Sequence, residues 1–472
     1  MSPSLSSPRV AVLGGGITGL TAAWRLAKAG LAPVVFEKSP RVGGAIGAVR
    51  SDGWLHELGP NSMLDGSADL SAFIDEIGLG ARRLYAAPAA KQRYIVRNGR
   101  LVAMPASPAA FLATKLFSWR AKLGLLGEPW RPRGPAVGEE SVADFVRRRL
   151  GREFLDYAVN PLVSGVYAGD PTRLSVRHAF PKLHALEQQH GSLIRGAWRR
   201  GNATGGPQGR MFSFPKGLEE LPHTLAHALG DAVRRQHVVV SARRREDDWL
   251  IEFETAGVRH TEAFSAVACA LPADALATLN LVGIDRREDL RVLCEIEHPP
   301  VASVFTGYKR AHVRHPLDGF GLLVPQVEHR RILGSLFSST LFPDRAPEGY
   351  VGLTTFLGGM RGPELTELDD REILRVVQAE LSQLVGVGGP PVFTHVQRWR
   401  RAIPQYTLGY QRYHDAMAAV EASAPGLFIG GNARDGISLA NCIASGRRLA
   451  SVATRFVHAG KARPALPERV ST

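Results

Sequence analysis

Three glycines near the start of the chain have the spacing of a dinucleotide phosphate site. Gly14, Gly16 and Gly19 form a GxGxxG pattern directly after the apolar segment RVAVL and directly before an Ala- and Leu-rich helical segment. In such a pattern the first glycine permits a tight turn, the second lets backbone approach a pyrophosphate, and the third lets the helix pack closely. The helix N-terminus adds free N–H groups and a favourable dipole. The pattern predicts a nucleotide-binding turn formed by Gly14, Gly15, Gly16, Ile17, Thr18 and Gly19.

An acidic residue follows this turn where a ribose ligand is expected. The apolar segment APVVFEK ends at Glu37 and Lys38. A carboxylate at the end of this second strand can accept the hydroxyls of an adenosine ribose. Arg41, Gly43 and Gly44 come directly after it, and they extend the predicted site beyond the phosphates.

Two further glycine-rich segments indicate a large, flat ligand. Gly59-Pro60-Asn61 closes a strand-like segment, and LFIGGNARDGISLANC near the C-terminus gives a strand, a turn and the start of a long helix. Glycines at such places let backbone approach a ligand. An N-terminal nucleotide unit closed by a C-terminal strand, turn and helix is a common way of binding extended FAD. No second GxGxxG follows a strand, so we predict FAD without a separate pyridine-nucleotide domain.

The chain is strongly basic, with a formal net charge of +14. A basic surface attracts nucleic acid, anionic lipid or acidic ligands. Residues 110–210 carry twice as many Lys and Arg as Asp and Glu. No RNP-type aromatic strand or zinc-finger spacing accompanies them, which argues against nucleic acid. The pattern favours a membrane surface or an acidic ligand, with general solubility as the alternative.

Within that basic segment, apolar residues recur at the spacing of an amphipathic helix. The stripe consists of Leu112, Leu116, Trp119, Leu123 and Leu126, flanked by Lys115, Arg120 and Lys122. Such a pattern is typical of helices at a lipid headgroup boundary, and a helix packed on the core is the alternative.

Cysteine spacing and the N-terminal segment give an indication of the cellular compartment of the protein. The three cysteines lie far apart without CxxC spacing, so neither a disulfide framework nor a metal site is expected. MSPSLSSP lacks the pattern of a signal peptide, and no apolar run is long enough to span a bilayer. We expect a cytoplasmic protein that contacts the inner face of the membrane peripherally.

Shifts in pattern along the chain predict a mixed α/β (α+β) fold. Strand and helix signals in residues 1–100, 211–298 and 411–460 indicate three parts of one Rossmann-like FAD-binding domain. Residues 101–210, rich in Leu, Arg and helical periodicity, predict a helical insertion that associates with membranes. Residues 299–410 alternate in the manner of a mainly antiparallel sheet, which would form the substrate-binding domain, and residues 461–472 form a tail.

Several segments together resemble the protoporphyrinogen oxidase family within the monoamine oxidase and phytoene desaturase superfamily. They are VLGGGITGL, FEKSPRVGGAIG, ELGPNSML, APAAKQRYIV, PLVSGVYAGDP, SLFSSTLFPDRAPEG, TTFLGG, AIPQYTLGY and NCIASGR. The first three are shared across the superfamily, whereas GVYAGDP, FPDRAP and IPQYTLG are narrower. The resemblance implies oxidation of protoporphyrinogen IX to protoporphyrin IX in heme biosynthesis. It would proceed as three hydride transfers to flavin N5, with oxygen as the final acceptor.

The resemblance also implies site residues. Arg93 matches an arginine that pairs with a substrate propionate, which suits a guanidinium because it grips a carboxylate at two points. Leu323 and Leu336 match side chains that clamp one pyrrole ring, Phe356 matches an aromatic ring that stacks on another, and Gly165 matches a glycine close to the substrate. No histidine or carboxylate stands out as a base, so no catalytic acid–base pair is assigned.

FAD contacts carry over to a larger set of residues. They are Gly14, Gly15, Gly16, Ile17, Thr18, Gly19, Glu37, Lys38, Arg41, Gly44, Ala45, Gly59, Pro60, Asn61, Ser62, Trp399, Ile437, Ser438 and Leu439. Non-covalent FAD is expected, because no His or Cys sits where a covalent link is required. A strand near HVVVSARRR would meet the adenine, in an unknown register. Many relatives have Asn-Asp-Cys before the last helix, whereas this chain has Ala440-Asn441-Cys442, which leaves capping to Asn441 or Ser438.

Three other functions stay open at this point. Coproporphyrinogen III oxidation would require extra cations for two more propionates. An amine oxidase or carotenoid desaturase should lack Arg93 and GVYAGDP, and an FAD-bearing interaction protein would show no turnover. The sequence also leaves open whether the protein forms a homodimer.

Overall fold

The computed structural model describes residues 7–134, 138–199, 209–283 and 290–461. Its strands are β1 (Arg9–Leu13), β2 (Ala32–Glu37), β3 (Ala48–Ser51), β4 (Trp54–Glu57), β5 (Met63–Asp65), β6 (Leu84–Tyr85), β7 (Gln92–Arg97), β8 (Arg100–Ala103), β9 (Arg210–Ser213), β10 (Val233–Arg235), β11 (Val238–Arg245), β12 (Asp248–Thr255), β13 (Val258–Phe264), β14 (Ala266–Cys269), β15 (Asn280–Val282), β16 (Val301–Lys309), β17 (Gly319–Leu323), β18 (Gly334–Leu336), β19 (Tyr350–Gly358), β20 (Phe393–Trp399) and β21 (Leu427–Ile429).

Helices lie between these strands. They are α1 (Ile17–Lys28), α2 (Ala68–Glu76), α3 (Pro108–Ala113), α4 (Trp119–Gly124), α5 (Val142–Arg149), α6 (Arg152–Phe154), α7 (Asn160–Tyr167), α8 (Val176–Ala179), α9 (Pro181–His190), α10 (Leu193–Arg199), α11 (Glu220–Leu229), α12 (Ala273–Thr278), α13 (Ser338–Leu341), α14 (Asp370–Val385), α15 (Gln411–Ser423) and α16 (Leu439–Lys461). Within the described ranges no helix combines the length and apolar character that crossing a bilayer requires.

A five-stranded parallel sheet joins distant parts of the chain in the order β10-β2-β1-β14-β21. Strands β1, β2, β14 and β21 are apolar almost throughout, as expected when helices or loops cover both faces of a parallel sheet. Helix α16 packs on α1 so closely that a Cβ at Gly446 would lie 2.4 Å from the Thr18 carbonyl oxygen. The first and last elements of the chain therefore meet beside the glycine turn.

Residues 211–298, which we expected to form the second part of the FAD-binding domain, contribute strands to this sheet and to others. Strands β10 and β14 enter the parallel sheet, whereas β11, β12 and β13 form a separate antiparallel sheet, to which β15 adds in parallel with β11. The physical difference between β14 and this second sheet lies in burial, because all four residues of β14 are buried, whereas β11 buries two of eight residues and β13 one of seven. A strand buried on both faces suits the centre of a parallel sheet, and half-exposed strands suit its border.

A seven-stranded sheet has the order β20-β16-β19-β18-β17-β7-β8. All its pairs are antiparallel except β7 with β17. Strands β7 and β8 belong to it although they flank residue 100, where we placed the end of the first FAD-binding part. One face packs on α14, as Val304 and Leu353 form a core with Ile373 and Val377. The opposite face carries Leu336 and Phe356, and β4 covers its Phe305 end through Trp54 and His56.

The residues from 108 to 199 form short helices, and the expected apolar stripe does not follow a single helix. Ser107 caps α3 and Ser118 caps α4, so the helical path is broken between them. Leu116 is fully buried in this break, whereas Leu112, Trp119, Leu123 and Leu126 are each more than half exposed. Lys122 is also buried and donates to the carbonyls of Leu112 and Thr114, so it closes α3 rather than facing solvent.

A buried ionic cluster holds these helices together. Arg149 is fully buried on α5 and pairs with Glu187 of α9 and with Glu128, 3.3 Å from the nearer Glu128 oxygen. Arg148 pairs with Glu140 at 2.6 Å and with Glu187 at 2.7 Å. The hydroxyl of Ser192 donates to the Glu128 carboxylate. Residues 135–137 and 200–208, together with residues 462–472 of the predicted tail 461–472, lie outside the described residues.

Candidate cofactor and substrate site

The first glycine turn has the close packing that its sequence predicts. Gly14 adopts φ +101°, and its N–H donates to the Phe36 carbonyl at 2.9 Å. A Cβ at Gly19 would lie 1.9 Å from the Gly14 carbonyl oxygen. Because no side chain larger than hydrogen fits there, α1 can start directly against the end of β1.

Beside this turn the backbone forms an open cradle. Gly16 has an extended conformation, with φ −73° and ψ 177°, and a Cβ there would meet no atom within 4 Å. A Cβ at Gly44 would lie 3.6 Å from the Gly16 Cα, and the Gly43 N–H donates to the Gly15 carbonyl at 2.9 Å. Two glycine segments thus face a common space at the N-terminus of α1. This space, with free N–H groups beside it, fits a diphosphate.

Glu37 supports the turn through its carboxylate. One carboxylate oxygen accepts the Gly15 N–H at 2.8 Å, and the other accepts the Ser39 N–H at 2.8 Å. The following residue, Lys38, is exposed. Strand β10 pairs with β2, and the His237 N–H donates to the Glu37 carbonyl at 2.9 Å. Residues 233–237 therefore run beside Glu37, whereas β11 pairs in another sheet.

Arg41 stabilises the second glycine segment. Its guanidinium donates to the carbonyls of Gly44 at 2.8 Å and Ile46 at 2.9 Å. Gly43 and Gly44 both have positive φ, which suits glycine. Gly43 was noted after the ribose acid but is not among the FAD contacts that the resemblance implies. Its N–H bond to the Gly15 carbonyl joins the two glycine segments.

The segment after β4 connects the cofactor side with the seven-stranded sheet. A Cβ at Gly59 would lie 2.2 Å from the Ala45 carbonyl oxygen, so these two backbone segments touch. The Trp399 indole N–H donates to the Leu58 carbonyl at 2.7 Å, and the Asn61 side chain donates to the Gly59 carbonyl at 2.9 Å. Pro60 and Ser62 belong to the same segment. Ala45, Gly59, Asn61 and Trp399 are therefore neighbours.

The C-terminal turn lies against the start of α1. Leu439 and Ile443 pack in one cluster with Ile17 and Leu20. Ser438 accepts the Asn441 N–H at 3.1 Å, so Ser438 rather than Asn441 caps the last helix. The sequence predicted that Asn441 or Ser438 would cap the last helix in place of the missing aspartate. The Ser438 hydroxyl does so. Ile437, Ser438 and Leu439 thus lie at the N-terminus of α16 beside the first helix.

Asp435 was missed by the sequence argument. Its carboxylate accepts from the Ser445 hydroxyl at 2.5 Å and from Arg448 at 3.0 Å, while Ser445 also accepts the Gly431 N–H at 2.9 Å. This network fixes the turn before α16. The signal was the pairing of an aspartate in the turn with Ser and Arg on successive turns of the helix.

Cross-strand register places the predicted substrate residues on one face of the seven-stranded sheet. Gly321 of β17 lies opposite both Arg93 of β7 and Leu336 of β18. Leu323 is two residues further along β17. Opposite residues share a face, and so do residues two apart along a strand. Arg93, Leu323 and Leu336 therefore lie on the same face.

Phe356 and Trp399 lie on this face as well. Gly334 lies opposite Leu323 on one side and opposite Phe356 on the other. Ser303 is the partner of Phe356 on β16, and Trp399 faces the residue two positions before Ser303. The face is the one turned away from α14. The row of residues on this face ends at Trp399, whose indole N–H donates to the Leu58 carbonyl next to the segment at Gly59.

Arg93 lies at the rim of this face. It is exposed, and its guanidinium carbon lies 5.6 Å from the centroid of the Phe320 ring. In the described parts of the chain no carboxylate forms an ion pair with it. Gly165 of α7 faces Leu323, because a Cβ there would lie 2.6 Å from a Leu323 methyl carbon. The face thus carries the unpaired guanidinium of Arg93 and three apolar side chains, and α7 packs against it at Leu323.

Titratable groups next to the site are buried and structural. Burial raises the pKa of the Glu57 carboxyl to about 7, opposed by the Leu218 N–H and the nearby Arg345. Burial and the neighbouring His395 lower the pKa of His56 to about 3, so its imidazole is neutral at physiological pH. Both residues precede Gly59 on β4. Neither forms a nucleophile–base or base–carboxylate arrangement directed at the substrate face.

The family model for flavin containing amine oxidoreductases matches residues 17–454. The chain belongs to the flavin containing amine oxidoreductase family. It is 34% identical to "Protoporphyrinogen oxidase 2, chloroplastic/mitochondrial" of Arabidopsis thaliana, over 96% of this chain and 95% of that protein. It is 28% identical to "Coproporphyrinogen III oxidase" of Bacillus subtilis (strain 168), over 95% of this chain and 98% of that protein.

Solved structures confirm the fold. A crystal structure from Exiguobacterium, provisionally named a protoporphyrinogen oxidase, aligns with a TM-score of 0.80 at 24% identity, covering 96% of this chain and 100% of that one. Cyclohexylamine oxidase from Brevibacterium oxydans aligns with a TM-score of 0.71 at 14% identity, over 96% and 100%. The predicted mixed α/β class, the oxidoreductase activity and the FAD cofactor are confirmed. Bound FAD supplies a two-electron acceptor.

Substitutions of Gly16 and of Gly19 should have different effects on the protein. We expect Gly16→Ala to fold normally, because its backbone suits any residue and its Cβ meets no protein atom, yet to bind FAD about 10-fold more weakly by filling the cradle. Gly19→Ala should instead lower the free energy of unfolding by about 1 to 3 kcal/mol, because its Cβ overlaps backbone. Flavin titration of the apoprotein and thermal unfolding separate these outcomes. Normal FAD affinity in Gly16→Ala would show that the diphosphate lies elsewhere.

Proposed function

We propose that this enzyme oxidises protoporphyrinogen IX to protoporphyrin IX in heme biosynthesis, with FAD as cofactor and oxygen as final acceptor. The observation that carries the proposal is the substrate face, on which an unpaired guanidinium and apolar side chains share one side of a sheet. A porphyrinogen is a large apolar ring with charged propionates at its edge, which matches this distribution. The names of the Arabidopsis and Bacillus relatives support the same substrate class.

Arg93 would bind a propionate. Its position at the rim, stacked near Phe320, leaves the planar N–H groups of the guanidinium available to a ligand. A guanidinium stays charged at neutral pH and cannot act as a base, so its role is binding and orientation.

The apolar side chains would hold the rings. Leu323 and Leu336 lie on neighbouring strands and would clamp one pyrrole, while Phe356 would stack on another. Gly165 lets α7 come close to Leu323, because any larger residue would displace that side chain. Exclusion of water by these groups protects a reactive substrate.

The cofactor residues would divide the FAD between them. Gly14 to Gly19 and Gly44 would hold the diphosphate, and Glu37 with Lys38 would lie at the adenosine end. Arg41 would act by fixing the second glycine segment. The flavin end would meet Ala45, Gly59, Pro60, Asn61, Ser62 and Trp399, together with Ile437, Ser438 and Leu439 at the positive end of α16.

We assign no catalytic acid or base. Aromatisation requires three two-electron oxidations, and protons can leave the substrate through tautomerisation of its ring nitrogens. The residues of this chain would bind and orient the ring so that a bridging carbon meets the acceptor in each of the three oxidations. The buried Glu57 and the neutral His56 lie in the domain core and are not required for this.

Coproporphyrinogen III is the second candidate substrate, favoured by the Bacillus and Staphylococcus relatives. It carries four propionates instead of two. Arg93 alone among the face residues described above is cationic, which favours the substrate with fewer carboxylates.

Offering both porphyrinogens to the purified holoenzyme in air tests this choice. We expect the rate of porphyrin fluorescence to exceed the spontaneous rate for both, with kcat/KM about 10-fold higher for protoporphyrinogen IX, because fewer carboxylates remain unpaired. A preference for coproporphyrinogen III would reverse the assignment. No turnover of either would contradict the proposed function.

Arg93→Ala should lower kcat/KM by about 10-fold to 200-fold, because a charge-assisted pair worth about 1.5 to 3 kcal/mol is lost. FAD content should not change. Arg93→Lys should recover only part of the loss, since an ammonium cannot form the planar two-point contact. Arg243→Ala, which removes an exposed arginine from a different sheet, is the control for net charge. Unchanged kcat/KM in a flavin-loaded Arg93→Ala variant would contradict the role.

We also propose that the enzyme is cytoplasmic and binds the inner face of the membrane peripherally through an apolar platform. The platform consists of the exposed side chains of Leu112, Trp119, Leu123, Leu126, Trp130 and Trp198. Helix α10, which carries Trp198, packs against the turn of residues 125–130, and this contact supports treating these groups as one surface. Exposed Lys115 and Arg120 lie beside them. Tryptophans next to basic residues suit a headgroup boundary.

Vesicle sedimentation tests the platform. We expect wild-type protein to bind anionic phosphatidylglycerol vesicles at low salt, and the triple variant Trp119→Ser, Trp130→Ser and Trp198→Ser to bind at least about 10-fold more weakly, because three apolar rings no longer enter the headgroup layer. Val258→Ser, an exposed apolar residue in a distant hairpin, is the matched control. Equal binding by the triple variant and wild type would show that the platform does not bind membranes.

A further inference from the structure

Arg361 lies in a turn that docks on the end of α7. The turn follows β19, and Gly358 and Gly359 in it have φ of +97° and +67°. The Met360 N–H donates to the Ala168 carbonyl at 2.8 Å, and a Cβ at Gly359 would lie 2.5 Å from the same oxygen. Backbone contacts therefore hold the base of the Arg361 side chain against the C-terminal end of α7.

The guanidinium of Arg361 joins α7 to the sheet. One terminal nitrogen donates to the Val324 carbonyl at 2.8 Å. The other donates to the Ser164 hydroxyl at 2.7 Å and to the Asn160 side-chain oxygen at 3.2 Å. That Asn160 oxygen also accepts the Gln326 N–H at 2.9 Å. A single side chain thus links one helix with the segment that follows β17.

The bonded residues flank the substrate face. Val324 follows Leu323 directly, and Ser164 precedes Gly165 directly. Gly165 and Leu323 are the pair whose separation leaves no room for an extra methyl group. The distance between α7 and the sheet at this point sets where the Leu323 side chain can lie.

Arg361 has only neutral acceptors in this position. No carboxylate in the described residues forms an ion pair with it, and Asp170 acts on it only at longer range. Burial lowers the pKa of its guanidinium to about 10, which leaves it charged at neutral pH. A partly buried cation that bonds to a carbonyl, a hydroxyl and an amide uses its fork of donors to fix geometry.

We propose that Arg361 is a positioning residue for the substrate, which acts by fixing Leu323 against Gly165. This positioning role rests on the proposed function only for the identity of the substrate. Arg361 itself does not touch the porphyrinogen, and its effect passes through the Leu323 side chain. Its loss would let α7 and β17 separate and would weaken the clamp on the ring.

Kinetics of four variants test the proposal. We expect Arg361→Gln to raise KM for the better porphyrinogen by about 5-fold to 20-fold, with kcat changed by less than about twofold and FAD content unchanged. Arg361→Lys should recover part of the KM. Arg330→Gln, which breaks an ion pair with Glu380 on α14 at 2.8 Å, should leave KM unchanged. Combining Arg361→Gln with Leu323→Ala should raise KM no further than the larger single effect.

Unchanged KM in Arg361→Gln, or additive effects with Leu323→Ala, would overturn the positioning role. Hydrogen exchange of α7 amides gives a readout that needs no substrate. It should speed up in Arg361→Gln but not in Arg330→Gln, and equal exchange in both would also overturn the role. If wild-type enzyme oxidises neither porphyrinogen, the proposed function fails, whereas the link between Arg361 and α7 is still decided by exchange.

Discussion

The structure depends on two places where backbone packs against backbone because a side chain is missing. Gly19 lets α1 begin against the end of β1, and Gly446 lets α16 lie against Thr18 of α1. These contacts bring the first and the last helix of the chain to one point. The diphosphate cradle at Gly16 and the capped start of α16 at Ser438 lie there as a consequence. Larger side chains at either glycine would separate the two ends of the chain and divide the cofactor site.

The substrate side is built on a different principle, the alternation of residues along strands. Arg93 comes from β7, which is distant in sequence from the consecutive strands β17, β18 and β19 that carry Leu323, Leu336 and Phe356, and register gives all four a common face. Trp399 on the same face bonds to Leu58, which leads into the segment at Gly59. The seven-stranded sheet thus positions the proposed substrate residues and also places them in line with the segment at Gly59.

Local patterns were sufficient to predict the parts of the site that depend on local geometry. The GxGxxG spacing and the resemblance of nine segments predicted the FAD cofactor and the oxidoreductase family, both of which are confirmed. The substrate and cofactor contacts stay predictions, although the structure places them together. Burial and register could not be predicted, because they are set by distant segments. Leu116 and Lys122 were expected on an exposed helix but are buried, and Arg361 stands in GGMRGP without any repeating pattern.

The ionic cluster around Arg149 has a consequence for the apolar platform above it. Glu128, Glu187 and Arg149 are almost completely buried, so loosening any one helix of this region would leave a charge without its partner in a poorly solvating interior. The short helices should therefore open together or not at all. A surface held in this way would lose little conformational entropy on binding to a membrane. The backbone that carries Trp130 and Trp198 is preorganised, because Glu128 joins the two segments, and the proposed contact with a bilayer would not require the region to fold first.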